Sequence, residues 1–434
     1  MGKSQGKCMP VSLNRQPRSG GSPDVIVVGG GVIGCSIAFR LSERGQRVLL
    51  LEGRGLAAGA SGRNGGMTGG GSSLHATSAA GRAVFALGQA NLAMLRDVPQ
   101  ELDADIELRL PGTLDVITTP EQHAHLAASV AEERRAGLDV ALLDRDEARS
   151  LMPALSPAIL GAAYAAERGH LWPFALVHAF ADAARRRGAT IRVGAPVERL
   201  HWVNERVAGV VVNGDRIDSE EVVLATNAYT PPLLPDLPAG AIVPARGQIL
   251  VTQPLPPLLT RPFGTNFDKE YGRQTPGGQI LCGGFRRLDT AEGLGTTEER
   301  VSPAVLAGIA RCLIDLFPIL RGRARVVRAW AGIMGFTADG LPLIGRYGPA
   351  PGLTLAAGFN GGGFSWAAIV GRVVADLLTG REPGFDLTPF RPDRFAGLGD
   401  AVAWSNPFTA GEGNHPNSAW LLAHRKDASS PTIA

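Results

Sequence analysis

The chain has 434 residues, which is long for a single hydrophobic core, so we expect two domains. Apolar residues account for 44% of the sequence and charged residues for 19%, which is typical of a globular protein with a large interior. The net charge of +3 is spread along the chain rather than gathered in a basic block, so composition indicates neither a nucleic-acid partner nor a membrane partner.

The cysteines and the two ends of the chain narrow the class further. Four cysteines with no paired spacing and no C-x-x-C pattern predict neither a disulfide framework nor a metal site, and favour a cytoplasmic location. Residues 1–23 carry basic residues among Ser, Gly and Pro without the apolar segment of a signal peptide, which predicts a flexible tail. Residues 396–434 lose hydrophobic periodicity and are predicted to form a loose C-terminal tail.

The folded part opens with a predicted β-α-β unit. A β-branched run at 24–28 enters the glycine-rich sequence "VVGGGVIGCS", and a helix is predicted over 31–45. "RVLLLEG" at 47–53 then predicts a buried parallel strand. Glu52 stands at the end of this strand, where a carboxylate accepts hydrogen bonds from ribose hydroxyls and repels a 2′-phosphate. The unit therefore predicts a dinucleotide other than NADP.

Three glycines in the first turn fit the G-x-G-x-x-G pattern of pyrophosphate binding. Gly29 permits the tight turn, Gly31 lets the backbone approach the phosphate oxygens, and Gly34 lets the helix pack close to the strand. The helix N-terminus adds N–H groups and a partial positive charge. This unit alone does not separate NAD from FAD.

Further elements follow in chain order. Residues 53–73 are rich in glycine and too irregular for a helix or strand, and the prolines that crowd 231–262 favour a crossover or a domain boundary. Helices are predicted over 77–98, 120–136, about 144–151, from 173 into a strand near 191, and over 304–317. Strands are predicted near 106–117 and over 197–203, 206–212, 221–229, 277–286 and 324–333, and residues 353–378 predict a strand, a glycine turn and a helix.

Six sequence blocks together resemble the D-amino-acid-oxidase superfamily of flavoproteins, on its glycine oxidase and sarcosine oxidase side. The blocks are "VIVVGGGVIG", "GASGRNGG", "ATNAY", "PARGQIL", "WAGIMGFTADGLPLIG" and "AAGFNGGGF", which together span most of the chain from about 24 to 395. The resemblance implies an α/β fold in which a Rossmann-like FAD-binding domain is interleaved with an α+β substrate domain built on a mixed or antiparallel sheet. The FAD-binding domain is assigned to 24–98, 158–228 and 329–395, and the substrate domain to 99–157 and 229–328.

The resemblance also implies which residues hold FAD. The second glycine segment lies beside the flavin and its phosphates, Val197 contacts the adenine through its backbone, and the last glycine segment closes over the flavin ring. No cysteine near "DGLP" and no histidine within the second glycine segment stands where some relatives attach FAD covalently, and His75 lies too far along, so we expect non-covalent FAD. The predicted cofactor-binding residues are Gly29, Gly31, Val32, Ile33, Gly34, Glu52, Gly53, Arg54, Ala60, Ser61, Arg63, Asn64, Gly65, Gly66, Val197, Thr226, Asn227, Ala228, Gly332, Gly361, Gly362, Gly363 and Phe364.

The chemistry implied by the resemblance is hydride transfer from the carbon beside an amine nitrogen to the flavin, which gives an imine. Members that oxidise amino acids clamp the substrate carboxylate with an arginine just after "WAGL", and Met334 occupies that place here. A simple α-amino acid is therefore not the expected substrate. The carboxylate of an N-substituted amino acid could instead meet an arginine of the other domain, or the substrate is an amine without a nearby carboxylate. The predicted substrate-site residues are Met334, Tyr271, Arg273 and Arg246, with Arg286, Arg287, Phe336 and Trp366 as further candidates.

Several alternatives stay open on the sequence. The electron acceptor is oxygen or an electron carrier, and Lys269 has no clear place in an oxygen-reacting site. His170, which with Trp172 precedes a predicted helix, is either a substrate ligand or a packing residue. A nicotinamide-dependent dehydrogenase would leave both later glycine segments without a function, and a flavin-holding subunit without catalysis is the other alternative. The oligomeric state is not indicated.

Overall fold

The computed structural model describes residues 21–69, 78–265 and 270–395. These residues form two large β-sheets with helices packed on them, and the chain crosses between the two sheets several times. The helices are α1 (Val32–Glu43), α2 (Ala79–Leu102), α3 (Pro120–Arg135), α4 (Arg145–Leu151), α5 (Pro173–Arg186), α6 (Pro303–Leu316) and α7 (Ala367–Leu378). The strands are β1 (Val25–Val28), β2 (Val48–Glu52), β3 (Met67–Thr68), β4 (Thr113–Ile117), β5 (Val140–Asp144), β6 (Gly161–Ala165), β7 (Gly169–His170), β8 (Thr190–Val193), β9 (Val197–Val203), β10 (Arg206–Val212), β11 (Asp215–Asp218), β12 (Glu221–Leu224), β13 (Ile242–Pro254), β14 (Phe263–Thr265), β15 (Glu270–Gln274), β16 (Gln279–Gly283), β17 (Val326–Thr337), β18 (Leu343–Arg346) and β19 (Leu353–Ala357).

The first sheet has six strands in the order β18-β19-β12-β1-β2-β8, and only β18 runs antiparallel to its neighbour. β1 lies near its centre and all four of its residues are buried, as expected for a parallel strand that is covered on both faces. The carboxyl ends of β1, β2, β12 and β19 share one edge, which is where open α/β sheets bind ligands.

Different layers cover the two faces of this sheet. Apolar residues of α1, α2, α5 and α7 pack together with Val27 and Leu50 on one face. The small antiparallel sheet β11-β10-β9 packs on the other face, where Leu200 and Val210 meet Ile26 and Leu49. Alternate residues of β1 and β2 therefore enter opposite cores, as the two-residue period of a strand requires.

The second sheet has eight strands in the order β17-β13-β16-β15-β14-β4-β6-β5. All of its neighbours are antiparallel except β14 and β4, which are parallel. α4 and α6 contribute to the apolar core on one face, where Phe263 packs against Phe317. The opposite face looks toward the carboxyl edge of the first sheet. The predicted fold class, a Rossmann-like domain joined to an α+β domain on a mixed sheet, is confirmed.

The proline-rich stretch 231–262 differs from its prediction, because it contains β13, the longest strand of the described chain. Pro244 is tolerated there because its carbonyl oxygen accepts a hydrogen bond from Gly295 N at 2.9 Å, on the edge that faces away from β17. A residue's N and O lie on the same side of a strand, so the missing N–H of Pro244 removes no bond to β17. Pairing with β16 on that edge begins only at Ile249.

The sheet memberships also shift the expected domain boundaries. β6 belongs to the eight-stranded sheet although 158–228 was assigned to the FAD-binding domain, and β17 belongs to it from Val326 to Thr337 although 329–395 was so assigned. The strand predicted near 106–117 begins only at Thr113. Most of the predicted N-terminal tail and all of 396–434 lie outside the described residues. None of the described helices is both long and apolar enough to cross a membrane.

Candidate active site

A cavity of about 1030 Å³ lies between the carboxyl edge of the six-stranded sheet and the open face of the eight-stranded sheet. Both later glycine segments reach it, since Asn64 and Gly361 line it together with Gly31. Gly34, Gly66, Ala228 and Gly362 are the predicted cofactor residues that lie outside its lining. The predicted ones that line it are Gly29, Gly31, Val32, Ile33, Glu52, Gly53, Arg54, Ala60, Ser61, Arg63, Asn64, Gly65, Val197, Thr226, Asn227, Gly332, Gly361, Gly363 and Phe364.

The first glycine turn has the geometry that its sequence predicts. Gly29 has a φ of +111°, and a Cβ there would stand 2.6 Å from the carbonyl oxygen of Ala225. A Cβ at Gly34 would overlap the carbonyl oxygen of Gly29, so this glycine serves the contact between helix and strand. Gly31 is open to the cavity except for Ser61 Oγ, 2.9 Å from where its Cβ would be. An anion can therefore approach the backbone at Gly31.

Glu52 is held at the end of β2 by two backbone amides. Gly30 N donates to Oε2 at 2.7 Å, and Arg54 N donates to Oε1 at 2.7 Å. These bonds orient the carboxylate at the cavity wall, next to Gly53 and Val197. Each carboxylate oxygen can accept more than one hydrogen bond, so the group can also accept from a hydroxyl.

The second glycine segment is folded back on itself and onto α1. Ser61 Oγ accepts a hydrogen bond from Val32 N at 2.9 Å, which fixes the segment at the N-terminus of the helix. Asn64 Nδ2 donates to Ser61 O at 2.6 Å, and its Oδ1 accepts from Gly66 N at 2.7 Å. Side-chain bonds therefore determine the shape of a segment that has few bulky side chains.

Two bonds join that segment to β17. Arg63 Nη1 donates to Ala331 O at 2.8 Å, and Trp330 Nε1 donates to Arg63 O at 3.1 Å. A Cβ at Gly332 would stand 2.9 Å from Arg63 Cβ. The "WAGI" block is thus a support for the second glycine segment as well as a part of the cavity wall.

The last glycine segment is tied to the same region by two asparagines. Asn227 Oδ1 accepts from Gly358 N at 3.0 Å and from Phe359 N at 3.2 Å. Asn360 Oδ1 accepts from Thr337 N at 2.9 Å. Gly361 follows with a φ of +83°, and Met334 Sδ stands 3.3 Å from where its Cβ would be. Asn360 also lines the cavity and was missed by the sequence analysis.

The wall formed by the eight-stranded sheet, here called the substrate-facing wall, carries Met334, Phe336, Tyr271, Glu270 and Arg286. The Arg286 guanidinium stacks on the Phe336 ring at 5.0 Å from its centroid. Burial, and then the neighbouring Arg287, lower the pKa of Arg286, whereas Glu292 and Asp289 act in the opposite direction. Burial raises the pKa of the Tyr271 phenol, which therefore stays protonated.

Some lining residues were not predicted from the sequence, among them Met67, Asp115, Arg168, Gln248 and Glu270. The polar positions inside the strand sequences "GQIL" and "LDVI" are the signal that could have identified Gln248 and Asp115. Glu270 is only 6% exposed, and its Oε1 accepts a hydrogen bond from Phe285 N at 2.9 Å.

Arg246 was predicted to contact the substrate, but the structure places it behind the substrate-facing wall rather than in its lining. Its side chain is buried in a bidentate ion pair with Asp289, and Gln248 Nε2 donates to the same carboxylate at 2.9 Å. Because Gln248 lines the cavity, Arg246 supports the wall through Asp289. Sequence alone does not reveal which face of β13 an arginine occupies.

Arg273 likewise lies outside the lining, since its Nε donates to Gly65 O at 2.7 Å and its Nη2 to Leu171 O at 3.3 Å. His170 is buried and outside the cavity lining, so the packing alternative describes its place. Trp172 is 48% exposed, and Trp366 packs against Phe390. Lys269 and His75, which the sequence analysis weighed, lie outside the described residues.

A profile of the family described as "DAO: FAD dependent oxidoreductase" matches residues 24–377. The chain belongs to this family. It is 30% identical to glycine oxidase from Geobacillus kaustophilus over 379 residues, which cover 86% of this chain and 97% of that protein. It is 27% identical to hydrogen cyanide synthase subunit HcnC from Pseudomonas aeruginosa, with 88% of this chain and 98% of that protein covered.

Solved structures agree with this assignment. The crystal structure of glycine oxidase from Geobacillus kaustophilus superposes with a TM-score of 0.77 at 29% identity, covering 86% of this chain and 99% of that one. The family resemblance expected from the sequence is thereby confirmed. The expected function, FAD-dependent oxidation of a carbon–nitrogen bond in an amine or amino acid, is also confirmed.

The cavity has the features that FAD requires. The N-terminus of α1 faces it with Gly31 as N-cap, which suits a pyrophosphate. The carboxylate of Glu52 suits the hydroxyls of a ribose. Gly65, Gly332, Gly361 and Gly363 line the cavity between the two sheets, so a flat ring can lie against residues that carry no side chain. The residues present therefore fit this cofactor.

Proposed function

We propose that this protein is an FAD-dependent oxidoreductase for a secondary or substituted amine that carries a carboxylate, such as an N-substituted amino acid. The observation that carries the proposal is the place of Arg286, whose guanidinium stacks on Phe336 in the wall that also contains Met334. A cation is thus present in the same cavity as the glycine segments, one side chain away from the position where relatives keep their arginine.

The lining residues also indicate which part of FAD we assign to each region of the cavity. The adenosine half is assigned to Glu52, Gly53 and Val197, and the pyrophosphate to Gly31 and the first turn of α1. The ring is assigned to the space between Asn64–Gly65 and Gly361–Phe364. The lining among the described residues contains neither cysteine nor histidine, and we propose that FAD is held without a covalent bond.

Both charges of a zwitterionic substrate have a counterpart in the substrate-facing wall. The Arg286 fork can bind a carboxylate through two parallel hydrogen bonds, and burial strengthens such a charge-assisted contact. Glu270, a buried carboxylate in the same wall, attracts the cationic nitrogen before it loses its proton. Met334 and Phe336 add apolar surface that keeps water away from the reacting carbon.

FAD, when bound, accepts the hydride from the carbon beside the nitrogen, and the imine product then hydrolyses in water. The protein's own contribution is to orient the substrate so that this C–H bond faces the ring, which is a matter of position rather than of acid–base catalysis. Arg246 and Asp289 contribute indirectly because they fix the backbone segment that carries Arg286.

An anaerobic reduction assay tests the proposal. Bleaching of the bound flavin is followed with N-substituted amino acids, simple amino acids and amines that lack a carboxylate. We expect Arg286→Met to raise the half-saturating concentration of carboxylate substrates about 10- to 100-fold, because it removes a charge-assisted pair. Arg286→Lys should raise this concentration less. Arg300→Met is the matched control, since Arg300 is 79% exposed at its side chain and outside the lining. An unchanged half-saturating concentration in Arg286→Met contradicts the assignment of Arg286.

The second candidate substrate is an amine without a carboxylate, which the apolar surface of Met334, Phe336 and Tyr271 favours. It is identified in the same assay if such amines bleach the flavin equally well in wild type and in Arg286→Met. Three relatives are named as subunits, one of hydrogen cyanide synthase and two of opine oxidases, so a flavin subunit within an assembly is the remaining alternative. Oxygen or a carrier as acceptor, and the cytoplasmic location, stay predictions.

A further inference from the structure

Arg273 is a buried cation without an acidic partner in the part of the chain that the structure describes. It lies on β15 with 4% of its surface exposed, and both of its hydrogen bonds go to neutral backbone carbonyls, Gly65 O at 2.7 Å and Leu171 O at 3.3 Å. Its Nη1 has no hydrogen-bond partner among the described residues. Burial lowers the pKa of Arg273 to about 10, so the group stays charged at neutral pH.

The neighbours of Arg273 leave its charge in place. His170 is buried nearby, and burial first, followed by Arg273 and Arg109, lowers the pKa of its imidazole to about 4, so it is neutral near pH 7. Glu107 is the carboxylate whose charge acts on Arg273, and it opposes the lowering of the pKa without cancelling it. A buried ion without a partner is costly, and such costs are retained mainly at functional sites.

The loop that Arg273 holds is a wall of the cavity. Gly65 lines the cavity, as do Asn64 and Met67 on either side of it, whereas Arg273 does not. The carbonyl of Gly65 points to Arg273, and Tyr271 on the same strand packs against Gly65 from the cavity side. Arg273 therefore contacts the Gly65 segment on the side away from the cavity, and the flavin ring has been assigned to the other side of this segment.

We propose that Arg273 is a positioning residue for the flavin that also raises its reduction potential. Its two carbonyl contacts hold the loop around Gly65 in place, and its charge favours the reduced flavin, which gains negative charge when it accepts a hydride. This inference rests on the proposed placement of FAD. It assigns to Arg273 a function other than the contact with the substrate that its sequence position suggested.

The test is the midpoint potential of the bound flavin, measured anaerobically against a reference dye with dithionite as the reductant. Arg273→Met should shift the reduction equilibrium about tenfold toward oxidised flavin, which corresponds to about 30 mV for a two-electron couple. Arg273→Lys keeps a charge and should stay within about threefold of wild type. Arg40→Met is the control, because Arg40 is equally buried but paired with Glu101 and outside the cavity lining. An unchanged potential in flavin-loaded Arg273→Met overturns the proposal.

A second pair of variants decides the question if Arg273→Met does not retain FAD. His170→Glu places a carboxylate beside Arg273 and should lower the potential in the same direction, whereas His170→Gln should leave it unchanged. Equal potentials in these two variants overturn the proposal. Because the reductant is not a substrate, a wrong substrate assignment does not alter these results, and failure of the wild-type protein to bind flavin would instead contradict the proposed function.

Discussion

Arg246 and Asp289 form a bidentate ion pair behind the substrate-facing wall, with Nε to Oδ2 at 2.8 Å and Nη2 to Oδ1 at 2.9 Å. The pair joins β13 to the short helical turns that carry Arg286 and Arg287. Thr290 N also donates to Asp289 at 3.0 Å, so one buried carboxylate holds both backbone segments. The position of Arg286, which we propose binds the substrate carboxylate, therefore depends on an ion pair that does not itself touch the substrate.

We expect Asp289→Asn to lower the free energy of unfolding by about 3 kcal/mol, because it removes the buried counter-charge of Arg246 and leaves only the exposed Glu298 carboxylate at 3.9 Å. The double variant Arg246→Met with Asp289→Leu should lose less, since an apolar pair contains no unpaired charge. Urea unfolding at a fixed excess of FAD measures both. Equal losses in the two proteins would show that the charge pair is not what stabilises this wall.

The two glycines of the first turn should respond differently to substitution. Gly31→Val should yield a folded protein without FAD, because its side chain occupies the side on which the pyrophosphate is placed. Gly34→Ala should instead lower the thermal stability of the apoprotein, because its Cβ overlaps Gly29 O inside the fold. Circular dichroism and the flavin absorbance of purified protein separate the two effects. Full flavin content in Gly31→Val would refute the role of Gly31.

Local periodicity predicted most elements, and most of the residues that glycine spacing and the family resemblance assigned to FAD line one cavity. The helices at 120–136 and 304–317 are observed within a residue or two at Pro120–Arg135 and Pro303–Leu316. Thr119 shows why the first begins there, since its side chain caps the helix by accepting a hydrogen bond from Gln122 N. Such signals lie within a few residues of each other, so the sequence contains them directly.

The substrate half could not be predicted to the same extent. Which face of β13 carries Arg246 depends on strand register. Arg273 is on the same face of β15 as Tyr271, and the segment that contains Gly65 covers it, which tertiary packing decides. Arg246 and Arg273 were the predicted arginines, with Arg286 and Arg287 as further candidates, yet of these four only Arg286 and Arg287 line the cavity. Which edge of β13 the nitrogen of Pro244 faces is likewise determined by tertiary pairing.

His170 predicts a loss of stability in mild acid. Its pKa is about 4 in the folded protein and 6.5 when unperturbed, so below pH 6.5 the unfolded chain binds a proton that the folded one does not. This contribution to stability is complete above pH 6.5 and is lost as the pH falls toward 4, by about 3 kcal/mol. Urea midpoints across this range measure the change. His170→Gln should show a smaller decline, and an identical decline would assign the acid sensitivity to other groups.

The ion pairs of Glu299 lead to a prediction about the rate at which FAD dissociates. Its carboxylate pairs with Arg54 Nη1 at 2.8 Å and with Arg63 Nη2 at 2.6 Å, and both arginines line the cavity in which we propose that FAD binds. Glu299 itself precedes α6, so these pairs join the segment before that helix to the second glycine segment at two points. We expect Glu299→Gln to release FAD about three- to tenfold faster, because partly exposed ion pairs contribute modestly.

Flavin fluorescence after dilution into apoprotein-free buffer measures this release, and the difference from wild type should shrink at high salt because the pairs are partly exposed. Glu298→Gln is the matched control, since the adjacent Glu298 side chain is 67% exposed and pairs with Arg300 and Arg246 instead. Slower release from Glu299→Gln would contradict the prediction in an informative way. It would mean that Arg54 and Arg63 bind the phosphates of FAD more strongly once they are no longer paired with Glu299, and that this gain exceeds the loss of the two ion pairs.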